Sequence, residues 1–362
     1  SRSDDTMILF YTSGTTGQPK GVMLSHSNFL VNGVGAGPFY GFSAEDVVLL
    51  SGPLFHLGTG SRAFNVVLYG AAMAIQPRFQ VEEMMQIIQD QRVTTVTLVP
   101  TMVQMVMDHP DFDKFDFSSM RCLTYGAAPM PVALIERAIA AIPGLTFCQG
   151  YGMTETAPVL TMLPRAVHVP GNPLIGKLAS VGLPMEYCDL RVVDEDDNPL
   201  PAGQPGEIVV RGPQVMNGYW QRPDDTAHAM RGGFYHTGDA GYLDADGYLH
   251  LVGRTKEMII SGGENIYPIE TENCLSKHPA IAQCAVIGLP DPFWGEAVHA
   301  VVAMQPGAEA TEETLIAFCR ERIAHYKAPR GVTFWSGALP LSPTNKIDKA
   351  TLKRTLAEET KV

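Results

Sequence analysis

The amino-acid sequence predicts a multidomain α/β protein with a helix-covered sheet, a small β subdomain and an α+β C-terminal domain. Three observations lead to this fold class. The 362 residues are too many for one hydrophobic core, so about two or three packing units are expected. Short apolar runs alternate with amphipathic stretches up to residue 175. From residue 181 the pattern changes to short β runs between turn clusters.

The first region alternates strand-like and helix-like segments. Buried strands are expected in MILFYT near the start and in residues 95–100, 122–126 and 147–152. Amphipathic helices are expected in residues 81–92 and 131–142, where apolar side chains recur at helical spacing. Because strands and helices alternate, this region is predicted to form a parallel sheet covered by helices.

The remainder of the chain divides into two further regions. The runs DLRVVD, GEIVVRG and GYLHLVG, with turn clusters between them, predict a small antiparallel sheet or barrel. Beyond it, the runs IAQCAVIG, AVHAVVAM and VTFWSG predict strands of a compact α+β domain, in which one helix follows the N-cap candidate Thr311. The predicted domains are therefore 1–180, 181–254 and 255–362.

Composition excludes several classes of protein. Lys and Arg number 26 and Asp and Glu 38, so the net charge is −12 and nucleic acid is not an expected partner. The six cysteines form no CxxC pair, which indicates neither a zinc site nor a disulfide framework and fits a reducing cytosol. No signal peptide and no apolar run of about eighteen residues is found. We therefore expect no transmembrane segment and a cytoplasmic location.

The start of the sequence is unusual for a whole protein. It has no initiator methionine, and the strand-like MILFYT follows almost at once. We therefore expect the chain to be an interior piece of a longer protein, with an N-terminal segment of the same protein missing. The sequence leaves a homodimer open.

Residues 11–21 read YTSGTTGQPKG, a turn rich in glycine and hydroxyl groups directly after an apolar strand. Glycines let backbone N–H groups close around phosphate oxygens, and hydroxyl groups and a lysine add further donors. The expected phosphate-binding residues are Thr12, Ser13, Gly14, Thr15, Thr16, Gly17 and Lys20. The segment is not a Walker A loop, because Pro19 stands where that motif has glycine. An ordinary flexible turn is the alternative.

Eight motifs, in this order, resemble the adenylate-forming acyl-CoA ligases, which share a fold with firefly luciferase and the adenylation domains of peptide synthetases. They are YTSGTTGQPKG at 11–21, PLFHLG at 53–58, YGMTE at 151–155, GEIVVRG at 206–212, YHTGD at 235–239, GRTKE at 253–257, SGGENIYP at 261–268 and PLSPTNKIDK at 340–349. Two features depart from the family pattern: its large N-terminal segment is absent, and Asn345 stands where glycine is commoner.

The resemblance implies the adenylate-forming enzyme fold, with a mobile C-terminal domain, and a ligase that uses ATP and Mg²⁺. A carboxylate and ATP give an acyl-adenylate and pyrophosphate, and coenzyme A as co-substrate then displaces AMP to form a thioester. The expected partners are thus a small-molecule carboxylic acid and coenzyme A. Residues 1–180 are expected to bind the nucleotide and the acyl group.

The resemblance also assigns individual roles. Glu155, with Thr154 beside it, is expected to hold magnesium, since a carboxylate after an apolar strand is otherwise unfavourable. Asp239 is expected to accept both ribose hydroxyl groups, with Arg254 near the same sugar and phosphate. Lys346 is expected to lie against the carboxylate and the α-phosphate. The ordinary alternatives are a solvated glutamate, a turn aspartate, a surface ion pair and a solvated lysine.

Further positions follow from the same motifs. Additional nucleotide contacts are expected at Gly126, Ala127, Ala128, Gly150, Tyr151 and Gly152. Lys256 matches the hinge about which the family's C-terminal domain rotates, and that rotation brings Gly262 and Gly263 beside a tunnel for pantetheine. Lys349 and Lys353 are expected to be merely solvated.

The substrate is less clearly specified. His56, Gly60 and Tyr125 are expected to line the acyl pocket, with a satisfied core histidine as the alternative for His56. The expected pocket segments contain no acidic residue for an amino group and no Arg or Lys for a second carboxylate. We therefore expect a monocarboxylic fatty acid of medium or long chain, with an aryl acid such as coumarate or benzoate as the alternative. A luciferase-like oxygenation and a catalytically incomplete nucleotide-binding fragment stay open.

Overall fold

The computed structural model of the protein describes residues 2–12, 19–126, 130–341 and 347–359, without the side chains of 357–359. It contains two compact units. The first is formed by Ser1–Thr237 with Tyr242–Leu251, and the second by Gly238–Gly241 with Val252–Val362. The predicted separation of residues 181–254 as a subdomain stays a prediction.

The strands and helices follow each other along the chain with short connections. The strands are β1 (Thr6–Thr12), β2 (Lys20–Ser25), β3 (Val47–Leu50), β4 (Ala72–Ile75), β5 (Thr95–Leu98), β6 (Cys122–Tyr125), β7 (Thr146–Gly152), β8 (Val159–Leu163), β9 (Leu183–Pro184), β10 (Asp189–Val193), β11 (Gly206–Arg211), β12 (Gly218–Tyr219), β13 (Tyr235–Leu243), β14 (Leu249–Arg254), β15 (Ile259–Ser261), β16 (Glu264–Ile266), β17 (Ile281–Asp291), β18 (Gly295–Met304) and β19 (Gly331–Phe334). The helices are α1 (His26–Tyr40), α2 (Leu57–Leu68), α3 (Val81–Asp90), α4 (Pro100–Met107), α5 (Val132–Ala141), α6 (Pro223–Ala229), α7 (Pro268–Leu275), α8 (Glu312–Arg320) and α9 (Lys349–Glu359).

A seven-stranded sheet, ordered β4-β3-β5-β6-β7-β8-β9, forms the centre of the first unit. The strands from β4 to β7 are parallel, as predicted for 95–100, 122–126 and 147–152, and β8 and β9 are antiparallel additions. Alternate residues face opposite sides. Leu123 packs in the core cluster that contains residues of α3, α4 and α5, whereas Cys122 packs in the cluster of α1 and α2. Helices therefore cover both faces.

The first predicted strand does not belong to this parallel sheet, so that expectation is wrong. β1 pairs antiparallel with β2, which also pairs with β12. The register places Thr12 opposite Lys20. A short connection between consecutive strands permits antiparallel pairing, whereas parallel neighbours need a long crossover.

The predicted small antiparallel sheet is present, in the order β10-β11-β13-β14. β10 and β11 pair antiparallel, from Asp189 opposite Arg211 to Val193 opposite Glu207. The turn after β10 is organised by Asp194, whose carboxylate accepts hydrogen bonds from the backbone N–H groups of Asp196 and Asn198. An aspartate that bonds to the backbone two residues on is typical of such turns.

The second unit has the predicted α+β architecture. Its sheet is ordered β16-β15-β18-β17, with β19 parallel to β18. The helix predicted after Thr311 is α8, and the Thr311 side chain accepts from the Thr314 N–H as the N-cap. Leu315 and Cys319 of this helix are buried in one core cluster, and Leu352 of α9 is buried in another.

Composition predicted neither a disulfide framework nor a membrane span, and both expectations concern features of the described residues. All six cysteines lie there and are free thiols. No helix in this part of the chain combines the length and the apolar character needed to cross a bilayer.

Candidate functional site

The glycine-rich segment connects the paired ends of two antiparallel strands. Thr12 is the last residue of β1, and Lys20 is the first residue of β2. The expected phosphate-binding residues Ser13, Gly14, Thr15, Thr16 and Gly17 lie outside the described residues. The structure therefore describes only where the segment leaves and rejoins the sheet.

Lys20 is already paired with a carboxylate. Its Nζ lies 2.8 Å from Oδ1 of Asp225 on α6 and 5.0 Å from the centroid of the Tyr219 ring. The hydrogen bond from Lys20 lowers the pKa of Asp225 below its ordinary value. A phosphate that binds the Lys20 ammonium would therefore share this cation with the Asp225 carboxylate.

Glu155 is buried, with 9% of its surface exposed. It lies in a short 3₁₀ turn after β7, where its backbone carbonyl accepts from the Met216 N–H at 2.9 Å. Its Oε1 accepts a hydrogen bond of 3.0 Å from the Tyr219 hydroxyl. Burial raises the pKa of Tyr219, and the neighbouring Glu155 carboxylate raises it further, so the phenol stays a donor. The alternative of a solvated glutamate does not hold.

These residues fit a magnesium ion that arrives with a nucleotide. Mg²⁺ is usually bound by one or two protein carboxylates together with substrate phosphates and water. Glu155 offers one buried carboxylate, and Thr154 precedes it in the same turn. Over the described ranges, no cluster of three or more His, Cys, Asp or Glu side chains is arranged to hold a metal by itself.

Three of the expected nucleotide-contact glycines lie where β6 and β7 end. A Cβ on Gly126 would lie 2.8 Å from the carbonyl oxygen of Gly150, and a Cβ on Gly152 would overlap the carbonyl of Pro158. Close backbone approach therefore requires glycine at 126 and 152. The carboxyl ends of parallel strands are where open α/β sheets bind ligands. Tyr151 is half-buried on β7, and Ala127 and Ala128 lie outside the described residues.

The three residues expected to line the acyl pocket have different surroundings. His56 is exposed and is the N-cap of α2, where its Nδ1 accepts from the Gly58 N–H at 3.3 Å. The core alternative for His56 is therefore wrong. Gly60 is buried, and a Cβ there would lie 2.6 Å from the carbonyl oxygen of Leu54. Tyr125 is buried among core residues.

The Tyr125 hydroxyl lies 3.0 Å from Nε2 of His168. Burial of this histidine lowers its pKa from 6.5 to about 4, so the imidazole is neutral at pH 7. Tyr125 thus forms a neutral hydrogen bond inside the core.

The sequence reasoning missed Arg62 of α2, which lies two positions beyond the expected pocket residue Gly60. It is buried, and one of its nitrogens donates to Oγ1 of Thr124. The signal that would have identified it is an arginine in a largely apolar helical stretch, since arginine is rarely buried unless it is paired.

In the second unit, the two residues expected at the ribose contact each other. Nε of Arg254 lies 2.7 Å from Oδ1 of Asp239, and Asp239 is 7% exposed. Beside this pair, the Thr255 hydroxyl donates to the carbonyl of Gly238 at 3.2 Å. The Asp239 carboxylate is therefore held in one orientation.

The segment after this pair carries the expected hinge residue. Lys256 is exposed, and its pKa is lowered by partial desolvation and by the Arg254 charge. The next residue, Glu257, accepts from Nζ of Lys349 at 3.0 Å, and Glu272 of α7 lies 2.8 Å from the same ammonium. The expectation that Lys349 is merely solvated is therefore wrong.

Lys353 resembles the expected solvated lysine more closely. It forms one ion pair of 3.0 Å with Glu296, and about half of its side chain is exposed. Lys346 lies outside the described residues.

Gly262 and Gly263 form the two-residue turn between β15 and β16, with Ser261 opposite Glu264. Their φ angles are +62° and +84°. A hairpin turn with two left-handed residues favours glycine at both positions, because the twist of the turn then matches that of the strands. A Cβ on Gly262 would also lie 2.7 Å from the Trp294 ring, whereas one on Gly263 would meet no atom of the described residues within 4 Å.

Comparisons with known proteins extend over nearly the whole chain. A family model described as AMP-binding enzyme matches residues 1–220, and one described as AMP-binding enzyme C-terminal domain matches residues 270–346. A feruloyl-CoA synthase of Amycolatopsis sp is 43% identical over 352 residues, which are 97% of this chain and 70% of that protein. An indoleacetate–CoA ligase of Aromatoleum aromaticum is 38% identical over 98% of this chain and 68% of its own length.

Solved structures agree with these matches. ATP-bound MatB from Rhodopseudomonas palustris superposes with a TM-score of 0.87 at 31% identity, covering 99% of this chain and 69% of that one. The o-succinylbenzoate CoA synthetase of Bacillus subtilis, in complex with its acyl-adenylate intermediate, gives a TM-score of 0.85 at 34% identity, covering 98% of this chain and 69% of that one. The fold is therefore that of adenylate-forming enzymes.

Proposed function

We propose that this chain, which belongs to the family of AMP-binding enzymes and is an AMP-forming acid–CoA ligase, activates an aromatic carboxylic acid. The two family models confirm the membership that the motifs predict. We replace the expected fatty-acid substrate, and with it an enzyme of fatty acid and lipid metabolism, by the aryl alternative. The similar curated proteins are named for ferulate, indoleacetate and 2-succinylbenzoate.

One observation carries the proposal: the 43% identity to a feruloyl-CoA synthase over 97% of this chain. The match includes both the sheet-containing region and the C-terminal region, so it is not confined to the nucleotide motifs. The ATP motifs are shared by members of this family that act on different acids, whereas this match extends over nearly the whole chain, far beyond those motifs. An aromatic acid is therefore the substrate class best supported.

Electrostatics dominate the first step. A carboxylic acid is ionised at pH 7, so it needs no general base, but it must approach a phosphate of the same charge. Glu155 would hold the magnesium ion, whose bound charge would offset that of the phosphates. Arg254 orients the Asp239 carboxylate, and an oriented carboxylate accepts both hydroxyl groups of ribose. Lys346 is proposed to stabilise the carboxylate and the α-phosphate.

Coenzyme A is proposed to react in the second step, when its thiol displaces AMP from the acyl-adenylate. Two features of this step stay predictions: rotation about Lys256, and a tunnel beside Gly262 and Gly263. A cytoplasmic location and a homodimer also stay predictions. The turn geometry supplies a reason for both glycines that does not depend on the tunnel.

The test is a screen of acids for AMP and pyrophosphate formation, with and without coenzyme A. Ferulate, indole-3-acetate and 2-succinylbenzoate are compared with octanoate and palmitate. We expect an aromatic acid to react fastest and a thioester to form only when coenzyme A is present. Faster turnover of the aliphatic acids would contradict the proposal, and ATP binding without pyrophosphate release on any acid would support an incomplete fragment.

A further inference from the structure

A buried guanidinium lies on α2 without a carboxylate partner in the described residues. Arg62 is 8% exposed. Its Nη1 is buried and has no hydrogen-bond partner in the described part of the chain. Arginine is always charged in proteins, and burial of a charge without a paired acceptor is unfavourable. The site therefore calls for an acceptor that the described residues do not supply.

The remaining contacts hold the guanidinium in place. Its Nη2 donates to Oγ1 of Thr124 at 3.3 Å, and that hydroxyl lies 2.6 Å from Oγ1 of Thr97. Its Cζ lies 3.6 Å from the centroid of the Tyr40 ring. Stacking on an aromatic ring offsets only part of the desolvation of a cation. Arg62 is therefore oriented, with one nitrogen left to bind something else.

The position of this cluster indicates what that acceptor is. Thr97 and Thr124 lie near the carboxyl ends of the parallel strands β5 and β6, the edge at which open α/β sheets bind ligands. Thr124 is two residues before Gly126, and α2 begins beside His56, an expected pocket residue. The cluster thus borders the segments from which the acid-binding pocket is expected to be built.

We infer that Arg62 determines specificity by donating to an oxygen atom of the acid that is remote from the reacting carboxylate. This inference rests on the proposed function, because it requires an acid-binding pocket. A ring hydroxyl, a methoxy group and a second carboxylate all supply such an oxygen. A guanidinium with several donors in one plane suits each of them. Arg62 lies outside the expected pocket segments, so it would add the cation that those segments lack.

The experiment compares the parent chain with Arg62→Met, using cinnamate, 4-hydroxycinnamate, ferulate and 2-succinylbenzoate. Pyrophosphate release gives kcat/KM, and calorimetry gives the Kd of each acid. The parent should prefer at least one oxygen-bearing acid to cinnamate. In Arg62→Met, kcat/KM for that acid should fall by about 10–100-fold, because this acid loses a hydrogen-bond partner. For cinnamate, which lacks the oxygen, kcat/KM should change by less than about threefold. The acid that loses most identifies the oxygen.

Two further variants distinguish specificity from stability. Arg121→Met removes a guanidinium that is paired with Asp46 at 2.6 Å, and it should lower the melting temperature without changing the ratio between acids. Thr124→Val removes the hydroxyl group that orients Arg62. It should change the ratio of kcat/KM between the acids in the same direction as Arg62→Met, but by less. Thr124→Val also tests the inference if Arg62→Met does not fold.

The outcomes separate the inference from the proposed function. An unchanged ratio in both Arg62→Met and Thr124→Val would overturn the role of Arg62 while leaving an active ligase. If the parent activates no acid, the proposed function fails, and calorimetry alone decides on Arg62. The role of Arg62 would then be supported if the parent binds an oxygen-bearing acid more tightly than cinnamate and Arg62→Met loses this difference. Equal binding or no binding by the parent would overturn it.

Discussion

The two units hold their expected functional carboxylates in different ways. Glu155 of the first unit accepts a hydrogen bond from a neutral phenol, Tyr219. Asp239 of the second unit pairs with the guanidinium of Arg254. A neutral donor orients a carboxylate without compensating its charge, whereas an arginine does both. The Tyr219 contact is compatible with a cation at Glu155, and the Arg254 contact is compatible with the hydroxyl groups of a sugar at Asp239.

The largest expected effect tests the charge on Glu155. Glu155→Gln keeps the size of the side chain and removes its charge, so it should slow pyrophosphate release by about 10²–10³-fold, the range for losing one preorganised electrostatic group. Tyr219→Phe, which keeps the Glu155 carboxylate, is the matched control and should slow pyrophosphate release by less. A magnesium titration that is identical in Glu155→Gln and the parent would contradict the metal assignment.

A second prediction concerns the hydrogen bond between two neutral side chains of the first unit, Tyr125 and His168. The pKa of His168 falls from 6.5 to about 4 on folding, so the unfolded chain binds more protons between these values and stability decreases as the pH falls through them. The loss is roughly 3 kcal/mol when complete. Denaturant unfolding of the parent and His168→Phe at several pH values measures it.

Tyr125→Phe is the control for that experiment, because it removes the hydroxyl group that contacts His168 and keeps the buried imidazole. Tyr125→Phe should keep the acid dependence of unfolding, whereas His168→Phe should flatten it between pH 6.5 and 4. Parallel curves for His168→Phe and the parent would show that His168 does not titrate in this range.

The third prediction tests the arginine-paired carboxylate of the second unit. Asp239→Ala should weaken AMP binding by roughly 1.5–3 kcal/mol, the value of charge-assisted hydrogen bonds. Calorimetry with AMP measures the difference. Equal affinity in variant and parent would overturn the ribose assignment and leave Asp239 as a structural partner of Arg254.

The smallest expected effect separates two lysines on one helix. Lys349→Met breaks two partly buried ion pairs and should lower the free energy of unfolding by roughly 1–2 kcal/mol. Lys353→Met breaks one exposed pair and should change it by less than about 0.5 kcal/mol. Urea unfolding of both variants provides the comparison, and equal effects would mean that the two Lys349 pairs add no more stability than the single exposed Lys353 pair.

Substitution of the β15–β16 turn must be interpreted with its backbone in mind. Gly263→Leu would place a side chain in a left-handed conformation, so it strains the turn whatever else it blocks. Gly263→Asn tolerates that conformation better and is the more suitable control for any test of a tunnel.

Elements that depend on neighbouring residues could be predicted from the sequence alone. The α3 helix follows from apolar spacing, the start of α8 from Thr311, and the strands β5 to β7 from short apolar runs. The family also followed from the sequence, because its motifs are short and occur in a set order. Each of these signals lies within a few residues, where backbone geometry limits the alternatives.

The partners that these elements contact could not be predicted from the sequence and are known from the folded chain. Lys20 and Asp225 are 205 residues apart, and Glu155 and Tyr219 are 64 apart. The antiparallel partner of β1, the two carboxylates around Lys349 and the burial of Arg62 likewise depend on packing between distant segments. A side chain's burial and the stability of its charge depend on the segments that fold against it, and no local pattern in the sequence identifies those segments.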